Sequence, residues 1–268
     1  VAGMISTYAG RNFSFCMSIF NAGGTIAFAV GPVLITALVQ AYGPAGTLYS
    51  MLIGLPLMAV VFKLVPCPEG EGLAGRGFIG SLREALGDAW KAVAILWALM
   101  VLRAFVSQTF ATFFPILYAR EGYSLVSIGL VTALFTLAGA LSGMVAGSLA
   151  DRTRYRPIFV VSHLLTTPAI LLSLYLRGPW VYPCAFVSGF FSMATLPLGV
   201  ALGQQLAPKG RSMVSSLMMG LALGIGGLIS PLIGWLADLY TLEAVLVFLA
   251  VSPLLAAALS LRLPEAPR

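Results

Sequence analysis

The sequence predicts an all-α, polytopic membrane protein, and three observations carry the prediction. Hydrophobic residues make up 59% of 268, and the mean hydropathy is +0.98, far above that of a soluble domain. Apolar runs recur along the whole chain, each near the roughly 20 residues a helix needs to cross a hydrocarbon core. Only 9% of the residues are charged, and they cluster between the runs. A transmembrane barrel would alternate apolar and polar residues in segments of about ten, and no such alternation occurs.

Eight spans follow in order: Phe13–Tyr42, Gly46–Val65, Ala92–Tyr118, Ser124–Leu149, Ile158–Leu176, Trp180–Leu206, Met213–Leu239 and Leu242–Arg262. Most connections are tight, such as "GPA" at Gly43–Ala45 and "PKGRS" at Pro208–Ser212. One is long and hydrophilic, Cys67–Asp88, Gly-rich in its first half. From Ser81 it turns helical, with Leu82, Ala85, Leu86 and Ala89 on one face, the pattern of a surface helix leading into the third span.

The bases fix an expected orientation. The two ends and the even-numbered connections hold twelve Lys and Arg, and the odd-numbered connections hold only Arg120 and Arg177. Such asymmetry places both ends on the cytoplasmic side of a cell membrane. Topology therefore accounts for the net charge of +6, and no nucleic-acid partner is implied. Cys16, Cys67 and Cys184 lack metal-site or disulfide spacing. No Walker loop or nucleotide fold is present, which argues against ATP-driven transport or an enzyme.

A parallel repeat is visible: "RNFSFCMSIFNAGGTIAFAVGPVL" (Arg11–Leu34) matches "RSMVSSLMMGLALGIGGLISPLI" (Arg211–Ile233) in placing an Arg, small residues and then Pro32 or Pro231. Two such halves are the design of certain secondary transporters. With residue 1 a Val, the sequence reads as a fragment holding eight of an expected twelve helices.

The stretch "GSLADRTRYRP" (Gly147–Pro157) resembles the signature loop of the major facilitator superfamily, Gly-x-x-x-Asp-Arg-x-Gly-Arg-Arg/Lys. Gly147, Asp151, Arg152 and Arg156 fall on it, while Arg154 and Tyr155 stand where the pattern has Gly and a base. "NAGGTIAFAVGP" (Asn21–Pro32), "LRAFVSQTFATFFPILYAREG" (Leu102–Gly122) and Ala201–Asp238 look like the fosmidomycin-resistance, drug-efflux branch. The resemblance implies a major facilitator-type helical bundle carrying helices five to twelve. Residues 1–66 would end the N-terminal half, 67–88 would link the halves, and 89–268 would form the C-terminal half. It implies alternating access, with Gly147, Asp151, Arg152 and Arg156 latching the cytoplasmic gate, and a monomer. Gly24, Gly31, Pro32, Gly227 and Pro231 would serve packing or bending, in part matching the glycine-rich motif of antiporters.

Arg103 stands near mid-membrane, where a charge costs about 3 kcal/mol on insertion scales and usually faces a cavity or partner. At helical spacing Arg103, Ser107, Phe110 and Phe114 form a stripe with Gln108 beside it, suited to an amphipathic or anionic solute. Anchoring of Arg103 to backbone carbonyls or to an acid is the structural alternative. Asn21 stands as a solute contact or a helix cross-link. His163, the single histidine, reads as a helix contact more readily than as a proton carrier. Gln204 and Gln205 read as capping or packing residues. None of the nine acids lies deep in a span.

The sequence thus implies a proton-coupled exporter of small toxic compounds with Arg103, Ser107, Gln108, Phe114 and Asn21 lining the site. No cofactor is called for beyond the proton gradient. The partners are a small-molecule substrate and the lipid bilayer. An organic-anion uptake symporter, a non-transporting scaffold and a truncated product are the alternatives.

Overall fold

The structure is a computed structural model describing residues 12–64, 80 and 86–264. Most of the expected linker, Cys67–Asp88, including Leu82 and Ala85 of the expected surface helix, lies outside the described residues. Among the described residues eight helices are long and apolar enough to cross a membrane. They are α1 (Phe13–Tyr42), α2 (Gly46–Leu64), α3 (Trp90–Arg120), α4 (Leu125–Arg152), α5 (Tyr155–Tyr175), α6, α7 and α8. The last three are segmented. α6 is Val181–Met193 continued by Leu196–Leu206. α7 begins with Arg211–Ser215, passes through a π-helical stretch (Ser216–Leu221), and ends with Ala222–Leu228 and Ser230–Leu239. α8 is Leu242–Leu249 continued by Ser252–Ser260.

The breaks have one local cause. Pro197, Pro231 and Pro253 each stand in the first turn of the segment after a break. Proline has no N–H to donate to the carbonyl four residues back and its ring crowds that carbonyl. At Pro253 the carbonyl left without its donor is that of Leu249, and the Ser252 hydroxyl donates to it at 2.7 Å. Satisfying such a group within the protein is what an apolar medium demands. Pro231 thus stands at a break in α7, at a position expected from the sequence to serve packing or bending. α1, by contrast, is one continuous helix through Gly31 and Pro32.

Glycine sets the closest helix crossings. A Cβ on Gly189 of α6 would lie 2.1 Å from the Phe135 carbonyl oxygen of α4. One on Gly147 of α4 would lie 2.7 Å from the Ser14 carbonyl oxygen of α1. In α7 the close-approach position is Gly226, against the backbone of Phe105 and Ala104, whereas Cβ atoms at Gly24 or Gly227 would meet nothing within 4 Å. α1 lies along α4 and the second segment of α6. α3 packs on α7 and α8, and α5 packs between α6 and α8.

Two hydrophobic clusters fill the interior. One gathers Met17, Leu96, Met100, Phe159 and Leu198 toward the Asp151 end. The other gathers Phe110, Phe114, Tyr118, Phe135 and Ile170 toward the Glu121 end. Gly189→Ala should destabilise the fold by about 1–3 kcal/mol or more through overpacking. Gly224→Ala, which meets no atom within 4 Å, should leave the thermal midpoint in detergent nearly unchanged. Equal midpoints for the two variants would contradict the close α4–α6 crossing.

Candidate functional site

The charged connection between α4 and α5 builds the first part of the site. Asn12 occupies the N-cap position of α1 but makes no side-chain capping bond. Asp151, at the far end of α4, supplies the cap instead. Its Oδ1 accepts from the Ser14 N–H and its Oδ2 from the Phe15 N–H, each at 2.9 Å. A carboxylate there meets unsatisfied donors and the positive end of the helix dipole. Gly147, one turn earlier, lets α1 approach closely enough for this contact.

Tyr155 stands where the signature loop has a base, and the structure gives it its own role. Its hydroxyl lies 2.6 Å from the Ser14 Oγ and accepts from the Gln205 Nε2 at 2.9 Å, joining α1, α5 and α6. The departure from the motif was the sequence signal for it. Arg152 is exposed and Arg156 half-buried, and among the described residues neither forms an ion pair. Gln204 donates to the Ser215 Oγ at 2.6 Å, a packing role like that of Gln205.

The second part is a buried polar layer between the two hydrophobic clusters. It contains Arg103 and Ser107 on α3, His163, Thr166 and Thr167 on α5, and Ser188 and Ser192 on α6. Arg103 is 3% exposed, and its Nε and Nη1 have no hydrogen-bond partner. The His163 Nδ1 donates to the Phe159 carbonyl at 2.7 Å, which leaves Nε2 as a buried acceptor without a partner. Buried polar groups are nearly always paired, yet Arg103, His163 and Thr167 of this layer each keep a buried polar atom without a hydrogen-bond partner.

The expected solute-lining residues do not all converge. Arg103, Ser107 and Phe114 share a buried face of α3, while Gln108 is on the opposite, exposed face. Asn21 donates to the Met17 carbonyl at 2.9 Å, as a helix contact would. It lines a separate crevice of about 20 Å³ among α1, α4 and α6, room for a water and not for a solute.

At the opposite end of the bundle, Arg177 pairs with Glu121 at 2.6 Å. The Tyr123 hydroxyl accepts from the Gly178 N–H at 2.9 Å, and the Tyr118 hydroxyl donates to the Ser173 carbonyl at 2.8 Å. Burial pushes the Glu121 carboxyl above its ordinary range, Arg177 opposes the shift, and Glu243 adds to it.

Helices of this length and apolarity, closed by an aspartate cap between α4 and α1 and holding a buried polar layer, define a membrane transport bundle. The chain belongs to the Major Facilitator Superfamily, whose family profile matches residues 1–231 and again 96–268. It is a multi-pass membrane protein and not an enzyme. It is 25% identical to the fosmidomycin resistance protein of Escherichia coli (strain K12), over 92% of this chain and 62% of that protein. It is 28% identical to a probable actinorhodin transporter of Streptomyces coelicolor, over 56% of this chain and 26% of that protein. A probable galactarate/D-glucarate transporter, GarP, of Escherichia coli (strain K12) is 27% identical over 56% of this chain and 36% of that protein. The chain thus spans less than two thirds of these relatives' lengths. Its fold superposes on the major facilitator transporter FucP in the outward conformation with a TM-score of 0.68 at 17% identity, covering 95% of this chain and 69% of that one.

Two predictions follow from the ends of the bundle. Asp151→Ala should cost about 1–2 kcal/mol, the range for losing a side-chain cap. It should also loosen the first turn of α1, so that Cys16 alkylates faster in a Cys67→Ser, Cys184→Ser background. An unchanged alkylation rate would show that the cap does not hold α1. At the other end, the raised Glu121 pKa means the folded state binds more protons than the unfolded one above pH 4.5. Stability contributed by this group therefore falls as pH rises from 4.5 through the raised value. Glu243→Gln, which removes a neighbouring charge, should flatten that decline in thermal scans across pH 4–8.

Proposed function

We propose that the protein is a secondary active transporter that exports small drug-like or toxic compounds, driven by the proton gradient. The observation that carries this reading is the match to a fosmidomycin resistance protein along 92% of this chain. The likeness to a probable actinorhodin transporter supports it. Transport proceeds by alternating access, with residues 1–66 and 89–268 belonging to two halves that rock about a midplane site. The Asp151 cap joins α1 of one half to α4 of the other, and it must open for the end it closes to admit solute. In this reading that end is cytoplasmic, the protein is a monomer of the cell membrane, and Arg152 and Arg156 assist the latch.

Arg103 and Ser107 hold the polar part of the solute in the layer that also contains His163, and Gln108, on the opposite face of α3, lies outside this group. An unpaired buried guanidinium is strongly unfavourable, so a transient anionic partner suits it. That feature also favours a second reading, uptake of a small organic anion, in line with the resemblance to a probable galactarate/D-glucarate transporter.

Expression in a drug-sensitive strain should raise the inhibitory concentration of fosmidomycin. Everted membrane vesicles should accumulate the compound until a protonophore collapses the gradient. Accumulation of an organic anion only in right-side-out vesicles would replace export by the uptake reading. Arg103→Ala should lower transport by about tenfold or more, the cost of one charged hydrogen bond. Full transport by a folded Arg103→Ala protein would remove Arg103 from the site.

A further inference from the structure

α4 and α5 both pack along α6 and have few contacts with each other. The space between them is a crevice of about 340 Å³. Phe190 and Phe191 of α6 form its floor, Val145 and Leu149 one wall, and Ile158 and Val161 the other. Its lining is apolar apart from the hydroxyls of Ser142, Thr153 and Ser162. The Ser142 and Thr153 hydroxyls at its edge are spent on the Gly139 and Leu149 carbonyls of their own helix. Val145, Leu149 and Val161 are about half exposed, so the crevice opens on the outer surface of the bundle.

Thr153 and Pro157 line its mouth, which places Arg152 and Arg156 within one residue of it. Among the described residues neither arginine has an ion pair. The single carboxylate of this connection, Asp151, has both oxygens committed to the backbone of α1. The mouth therefore carries net positive charge above a dry apolar slot. We propose that this crevice is a binding site for an anionic glycerophospholipid, with an acyl chain in the slot and the phosphate on Arg152 and Arg156. A polar solute would find only the Ser162 hydroxyl uncommitted in the slot, and a neutral lipid would leave the arginines unpaired. Only a ligand with an apolar chain and an anionic head satisfies both parts. The site is distinct from the polar layer and does not depend on the direction or substrate of transport.

Native mass spectrometry of the purified protein, titrated with phosphatidylglycerol and with phosphatidylcholine of identical chains, tests this. The unaltered protein should retain phosphatidylglycerol preferentially, and glycerol phosphate without chains should not compete. Arg152→Gln with Arg156→Gln should bring phosphatidylglycerol down to the phosphatidylcholine level, about fivefold per arginine. Arg152→Lys with Arg156→Lys should keep most of the preference. Val161→Trp, which fills the slot from a lipid-facing position, should weaken both lipids alike. Equal retention of the two headgroups by the unaltered protein would overturn the proposal. So would displacement by glycerol phosphate, or undiminished binding to Val161→Trp. These outcomes stand even if the double glutamine variant fails to fold.

Discussion

Both oxygens of Asp151 are given to the first turn of α1, and the rest of the α1–α4 arrangement depends on that contact. A helix beginning in an apolar setting must find acceptors outside itself or in its own cap for its first N–H groups. Asn12 does not provide one. The cap thus comes from a residue 137 positions away in the chain. For a carboxylate on α4 to reach that far, the two backbones must nearly touch, and Gly147 is the position that allows it. The Tyr155 hydroxyl then ties the same turn of α1 to α5 and α6.

A contact of this kind concentrates the attachment of α1 to α4 in one carboxylate. Two apolar clusters with a polar layer between them fill the interior. The clusters hold the helices as a unit, while the layer keeps groups such as Arg103 and His163 whose bonding is incomplete. That incompleteness is costly, since an apolar replacement would be more stable. Membrane exposure explains the remaining surface: large apolar side chains such as Phe28 and Phe62 point outward because lipid, not water, is the solvent.

Much of this was legible in the residues. The span Phe13–Tyr42 was read to the residue, because hydropathy and tight turns are local properties. The packing role of Gln204 and Gln205 was also within reach. The breaks in α6, α7 and α8 were not separated from harmless prolines. Pro56, Pro115 and Pro168 lie within continuous helices, and only the surroundings decide which proline interrupts. Gly226 and Gly227 look alike in sequence, yet only Gly226 meets a neighbouring backbone.

The candidate site divides along the same line. By itself the sequence determined a polytopic helical bundle and a mid-membrane arginine, because each follows from composition and spacing. Tertiary structure alone decided that Gln108 turns away from Arg103, that Asn21 bonds its own helix, and that Tyr155 takes Ser14 and Gln205 as partners. A helical period says which residues share a face. It does not say which face meets another helix, since that depends on how several apolar surfaces of nearly equal affinity are packed together.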